Sequence, residues 1–238
     1  IAAESGALLR VGGDMRRARA TFVSVLAMPQ ADDAAIVRAA RELVDIFGAE
    51  GDTKALIEVL DKLGELDPDP DLRAAANEKL AEIALSRGDD ARAIVAYTRL
   101  VDSKARAKAL TELELLHERA GNHVELAGIL LEREKETTSR SEARQLAFRA
   151  AEILTTRTDD AARAAAAWKG IADRYGATRN VHLAWIPLLE TLRDYAGLAE
   201  VLAADADIAP EAERAAILAR LGHVYLTKLS DEPQAFDT

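Results

Sequence analysis

The sequence predicts an all-α protein, a solenoid of about seven antiparallel helix hairpins stacked in a row. Three observations carry this. An acidic or amide residue opens a short segment at Asp14, Asp52, Asp89, Asn122, Asp159, Asp194 and Asp231, in steps of 38, 37, 33, 37, 35 and 37 residues. A fixed period in this range is the mark of stacked helix pairs, each of which buries its apolar face only against its neighbours. The chain is 49% hydrophobic but only 4% aromatic, so burial rests on Ala, Leu, Ile and Val, a composition suited to closely spaced helices and poor for a β sandwich. Finally, glycine stands just before four of the openers, at Gly13, Gly51, Gly88 and Gly121. Glycine tolerates the left-handed backbone that ends a helix, and Asp or Asn caps the next one, so each pair reads as a stop followed at once by a start.

Taken in order, the first helices of the hairpins are predicted over 2–12, 31–48, 69–87, 104–120, 139–157, 178–192 and 209–229. Turn and cap chemistry opens them: Pro29-Gln30-Ala31-Asp32, the run Asp67-Pro68-Asp69-Pro70-Asp71, Ser139-Arg140-Ser141-Glu142, and Ala209-Pro210. Ser139 with Glu142 fits a capping box. The second helices alternate between two types. One reads Asp…Ala…aromatic, as in Asp14…Ala18…Phe22, Asp89…Ala93…Tyr97 and Asp160…Ala164…Trp168, restarting at Asp231…Ala235. The other reads Asp52…Leu56…Val59-Leu60, Asn122…Leu126…Ile129-Leu130 and Asp194…Leu198…Val201-Leu202. Their apolar residues fall at i, i+4, i+7 and i+8, one face of a helix. Hairpin turns are predicted at 12–14, 49–52, 87–89, 120–122, 157–160, 192–194 and 229–231. No interior linker interrupts the pattern, so residues 1–238 read as a single helical-repeat domain. The chain starts at Ile1 and ends a few residues into a helix, which reads as a piece of a longer protein.

The 238 residues carry a net charge of −10 and no cysteine. The acidity disfavours general nucleic-acid binding. Without thiols there is no disulfide, no thiolate metal site and no Cys nucleophile; the compartment stays open, with cytoplasm preferred to periplasm. No stretch approaches the ~20 apolar residues of a membrane span.

These copies resemble the tetratricopeptide repeat family, whose pattern spaces a Leu, a Gly or Ala, a Tyr, a turn Gly, an Ala and an aromatic over two helices. Leu80, Ala81, Ala84, Gly88, Ala93 and Tyr97 keep it most fully. The next copy, Leu113, Gly121, Leu126 and Leu130, keeps the spacing and replaces the small Ala with Leu. The resemblance covers nearly the whole chain in degenerate copies. It implies a right-handed superhelical solenoid whose first helices line a concave groove for an extended or helical peptide. Ala93 is then expected where two helices cross, with Tyr97, Phe22 and Trp168 filling space toward the neighbouring hairpin.

No constellation for chemistry stands out. Of His117, His123, His182 and His223, only His117 has a suggestive neighbour, Glu114. Glu-x-x-His is half of a di-iron helix-bundle motif, no second copy exists, and His117 sits where the family places a packing Tyr. Packing or surface is the expectation for all four, with no metal and no cofactor. The three carboxylates of the Asp67–Asp71 run lack the glycine and the further oxygens of a calcium loop and read as a solvated turn in which Asp69 or Asp71 caps a helix. Arg16, Arg17 and Arg19 read as a solvated face. Pro187, inside a first helix, is expected to bend it and to free a carbonyl near Leu183.

Carrying the family's register over gives groove-facing candidates: Arg38, Arg41 and Asp45; Ala75, Glu78 and Glu82; Lys108, Thr111, Leu115 and Arg119; Gln145, Phe148 and Glu152; Asn180 and Leu183. The Lys/Asn/Lys/Arg arrangement with which chaperone-binding members clamp a C-terminal carboxylate is absent. Leu115, Phe148 and Leu183 form the expected apolar centre, with Lys108 and Arg119 at its edge; the alternative is that these apolar residues belong to the core. The leading expectation is a non-enzymatic scaffold that binds a protein or peptide partner. The rivals are a regulatory or sensor arm of a larger enzyme or signalling protein, and a structural element that self-associates through its open repeat ends.

Overall fold

The computed structural model describes residues 2–238. The described residues form fourteen α-helices: α1 (Ala2–Val11), α2 (Met15–Leu26), α3 (Asp33–Glu50), α4 (Thr53–Leu66), α5 (Pro70–Ser86), α6 (Asp90–Leu100), α7 (Arg106–Ala120), α8 (His123–Glu136), α9 (Arg140–Arg157), α10 (Ala161–Tyr175), α11 (Arg179–Leu192), α12 (Tyr195–Ile208), α13 (Glu211–Val224) and α14 (Glu232–Asp237). A π-helical turn, Tyr225–Leu229, extends α13. Among the described residues there is no strand. The protein is an all-α helical-repeat array, with the predicted hairpin turns at their expected places. Among the described residues no helix is long and apolar enough to cross a membrane.

Local chemistry explains the turns. Gly13, Gly51, Gly88 and Gly121 have φ between +68° and +82°, a region that L-residues enter at a cost. The carboxylates of Asp14, Asp52, Asp89, Asp160, Asp194 and Asp231 each accept a bond from the backbone N–H three residues on. In the fifth hairpin the capping residue is Asp160, one position after the periodic Asp159. The Ser139–Glu142 capping box is half formed. Ser139 Oγ accepts from the Glu142 N–H at 3.3 Å, while the Glu142 carboxylate accepts instead from Thr137 Oγ1 at 2.7 Å.

The chain divides into two compact units, one ending at Ala120 and one running Gly121–Thr238. Within each, a helix packs on those next to it in sequence and reaches no farther than the next but one, as stacked repeats require. Small residues set the spacing: Ala18, Ala39, Ala81, Ala93, Ala96 and Ala164 are completely buried. Tyr97, Phe22 and Trp168 are buried beside them. At the α4–α5 crossing a Cβ on Gly64 would clash with Asn77 Oδ1, and Asn77 Nδ2 donates to the Gly64 carbonyl at 2.9 Å.

The Asp67–Asp71 turn is not wholly solvated. Asp69 caps α5 as expected, but Asp67 is not solvated. It is 1% exposed and accepts from Arg41 Nε at 2.9 Å and Nη2 at 2.6 Å. Burial alone would push its carboxyl up; the Arg41 bonds, the Asp69 N–H and nearby Arg73 outweigh that and hold it below the usual carboxylate range. Helical geometry runs through Pro187, whose carbonyl accepts from Thr191 Oγ1 at 2.9 Å.

Candidate functional site

Alternate helices are tied to each other by ion pairs, and these define two faces within each unit. Arg10 on α1 bonds Glu42 and Asp45 on α3. Lys108 Nζ on α7 lies 3.7 Å from Glu82 Oε1 on α5, and Arg220 on α13 reaches Glu190 on α11 at 2.7 Å. These join first helices to first helices. Arg99 on α6 reaches Asp61 on α4 at 2.7 Å, and Arg174 with Tyr175 on α10 holds Glu134 on α8 at 2.8 and 2.6 Å. These join second helices to second helices. The first helices of a unit therefore share one surface and the second helices another.

On that first-helix surface, Lys108, Leu115 and Arg119 follow one another at seven and four residues, so they stand on one face of α7. Leu115 is 50% exposed, a large apolar side chain left in water. Arg119 Nη2 is anchored at 3.0 Å by Asp90 at the start of α6. Leu183 on α11 is likewise 53% exposed.

Phe148 differs. It is half-buried in the core cluster around α9 and α10. Its ring meets Trp168 edge-on, with centroids 5.5 Å apart and planes at 88°, and the Arg144 guanidinium lies 5.2 Å from its centre. Trp168 is fixed in turn by a 2.9 Å bond from Nε1 to Thr155 Oγ1. Phe148 thus supports the core as well as reaching the surface. The five candidates stand on three helices: Lys108, Leu115 and Arg119 share α7 in the first unit, and Phe148 and Leu183 stand on α9 and α11 in the second, two helices that do not pack directly on each other.

Of the other candidates, Arg41 is committed to Asp67 and Asp45 to Arg10, so their charges are already matched. His117 and Glu114 are buried, His223 is exposed, and His182 is buried with Nδ1 3.2 Å from Asp205 Oδ1, whose other oxygen takes Arg179 at 2.5 Å. Among the described residues no group of three or more His, Asp or Glu side chains is placed to hold a metal ion.

Sequence reasoning missed one feature. A cavity of about 340 Å³ opens between α3 and α5, floored by α4. The available signal was Ala75-Ala76, small residues on a first helix at positions where bulk would have closed the gap.

No protein family and no curated protein matches the sequence. Solved structures do. The complex "Naa15/Naa10 bound to HypK-THB" aligns over 98% of this chain and 34% of the other, at 16% identity and a TM-score of 0.42. This chain thus spans about a third of that protein's length. The TPR domain of P58(IPK) aligns over 99% and 71%, at 16% identity and a TM-score of 0.34. A tetratricopeptide repeat protein from Parabacteroides merdae aligns over 98% and 88%, at 13% identity and a TM-score of 0.32. Tetratricopeptide repeat proteins are therefore among the structures this chain is similar to. The assignment of stacked helical repeats rests on the chain's own caps, turns and neighbour packing.

Proposed function

We propose that the protein is a non-catalytic interaction scaffold, that residues 1–238 work as one helical-repeat domain, and that the first-helix surface binds a segment of a protein partner. The observation that carries the reading is the exposure of Leu115 and Leu183 on first helices, with Lys108 and Arg119 on the same face of α7 as Leu115. An apolar side chain with charged ones along the same face fits the anatomy of an interface core and rim. Nearest-neighbour stacking also suits an extended partner, because within a unit each hairpin offers one more step of the same surface. Phe148 contributes as a half-buried wall rather than as a free anchor.

The test is affinity capture with the intact protein, followed by titration of the captured partner. Leu115→Asp and Leu183→Asp are expected to weaken binding at least tenfold, about 1.4 kcal/mol or more, with little change in the melting curve because both side chains already meet water. Arg92→Asp, on the second helix α6, is the control. Unchanged affinity in folded Leu115→Asp and Leu183→Asp would remove this surface from consideration.

A further inference from the structure

We propose that the α3–α5 cavity is a specificity site for an acidic segment of the partner carrying one large apolar side chain. This rests on the first-helix surface being the binding face. The cavity, about 340 Å³, has walls and floor of Val44, Leu60, Leu63 and Leu72, with Ala75 and Ala76 providing the room. Pockets that hold ligands start near this size and combine an apolar lining with a few placed polar groups. Here Leu72 is 44% exposed at one side, so the interior is open to an entering side chain.

The charge at its mouth identifies the occupant. Arg41 and Lys79 line the opening. Arg41 spends Nε and Nη2 on Asp67, while its side chain remains 42% exposed. Lys79 is exposed and has no ion-pair partner. Repeat register makes Lys79 stand out. Counting from the hairpin caps Asp52, Asp89 and Asn122, the matching positions on the neighbouring first helices are Glu42 and Glu112, so the sign is reversed at this hairpin alone of the three. The same register matches Ala75 to Arg38 and Lys108, so cationic side chains take this position on α3 and α7, with the gap between them on α5. The only carboxylate lining the cavity, Asp67, is buried and already satisfied. Arg41 and Asp67 neutralise each other, so the net charge lining the cavity is the single positive charge of Lys79, set over an apolar interior on a chain of net charge −10. Complementary potential selects a partner more strongly than it raises affinity. A phenylalanine or leucine flanked by Asp or Glu meets both demands.

The experiment uses the full chain and three labelled probes read by fluorescence anisotropy: acetyl-Glu-Asp-Phe-Asp-Glu-amide, the same peptide with Ser for Phe, and acetyl-Lys-Lys-Phe-Lys-Lys-amide. The acidic Phe peptide is expected to bind at least tenfold more tightly than either of the others. Lys79→Glu, which removes the unpaired cation, and Ala75→Leu, which fills the cavity, are each expected to weaken it at least tenfold while the melting curve stays near wild type. No binding of the acidic Phe peptide, equal binding of the basic one, or binding indifferent to both variants would overturn the proposal. Failure here is distinct from failure of the first-helix reading. If Leu115→Asp abolishes partner binding while the peptide ignores Lys79→Glu, the cavity proposal falls and the surface stands.

Discussion

Two alanines on the two helices of one hairpin show how a single residue's surroundings decide its role. Ala93 is completely buried at the start of α6, in the sequence Asp89…Ala93…Tyr97, and Tyr97 is 2% exposed beside it. A larger side chain there has no free volume, and overpacking of this kind costs roughly 1–3 kcal/mol. Ala75 is exposed on α5 at the wall of a cavity, so Leu meets open space. Ala93→Leu should therefore lower the denaturation midpoint well below that of Ala75→Leu, measured by urea unfolding followed by circular dichroism; equal midpoints would count against the repeat register. Both placements were legible in the sequence, because the family pattern fixes the small position and the helical period fixes the outward one. Asp67 was not. A Pro-flanked acidic run reads as a solvated turn, and only the three-dimensional path brings Arg41, 26 residues earlier, within 2.6 Å of its carboxylate. Phe148 was half legible: the period puts it toward the surface, but its packing on Trp168 depends on the neighbouring helix α10.

At the level of the element, the hairpin turn obeys one rule with instructive departures. Four turns place glycine in the left-handed region. In the sixth, Arg193 takes that conformation at φ 56°, N–H bonding back to α11, with Asp194 capping α12 as Asp52 and Asp89 cap α4 and α6. A non-glycine residue there carries steric strain of about 1–2 kcal/mol, partly offset by glycine's greater entropy loss on folding. Arg193→Gly should stabilise the protein by up to about 1 kcal/mol, visible as a rise in the thermal midpoint; a fall would mean that the Arg193 side chain contributes something its exposed position does not reveal. Helix limits were readable to within two or three residues, since stop and start signals lie in adjacent positions. The π-helical turn Tyr225–Leu229 was not readable, because its hydrogen-bond shift leaves no distinct residue pattern.

For the molecule as a whole, periodicity establishes much and the partner little. Caps and turns recur, so the stack of hairpins is written into the chain many times over, and no single substitution obscures it. A binding surface is written only once. Leu115 and Leu183 share the apolar character of core residues, and a one-position error in register would bury them; their half-exposed state emerges only from the packing of the helices around them. The α3–α5 cavity is harder still to foresee, because it is defined by missing bulk at Ala75 and Ala76 and by the company of Arg41 and Lys79. The proposal stands or falls on partner binding at the surface of the first helices. Amide hydrogen exchange, recorded for the intact protein alone and saturated with its captured partner, tests this most directly. Protection is expected on binding in the first helices, α5, α7 and α11 foremost, with the second helices α6, α8 and α10 unchanged. Protection confined to the second helices would contradict it.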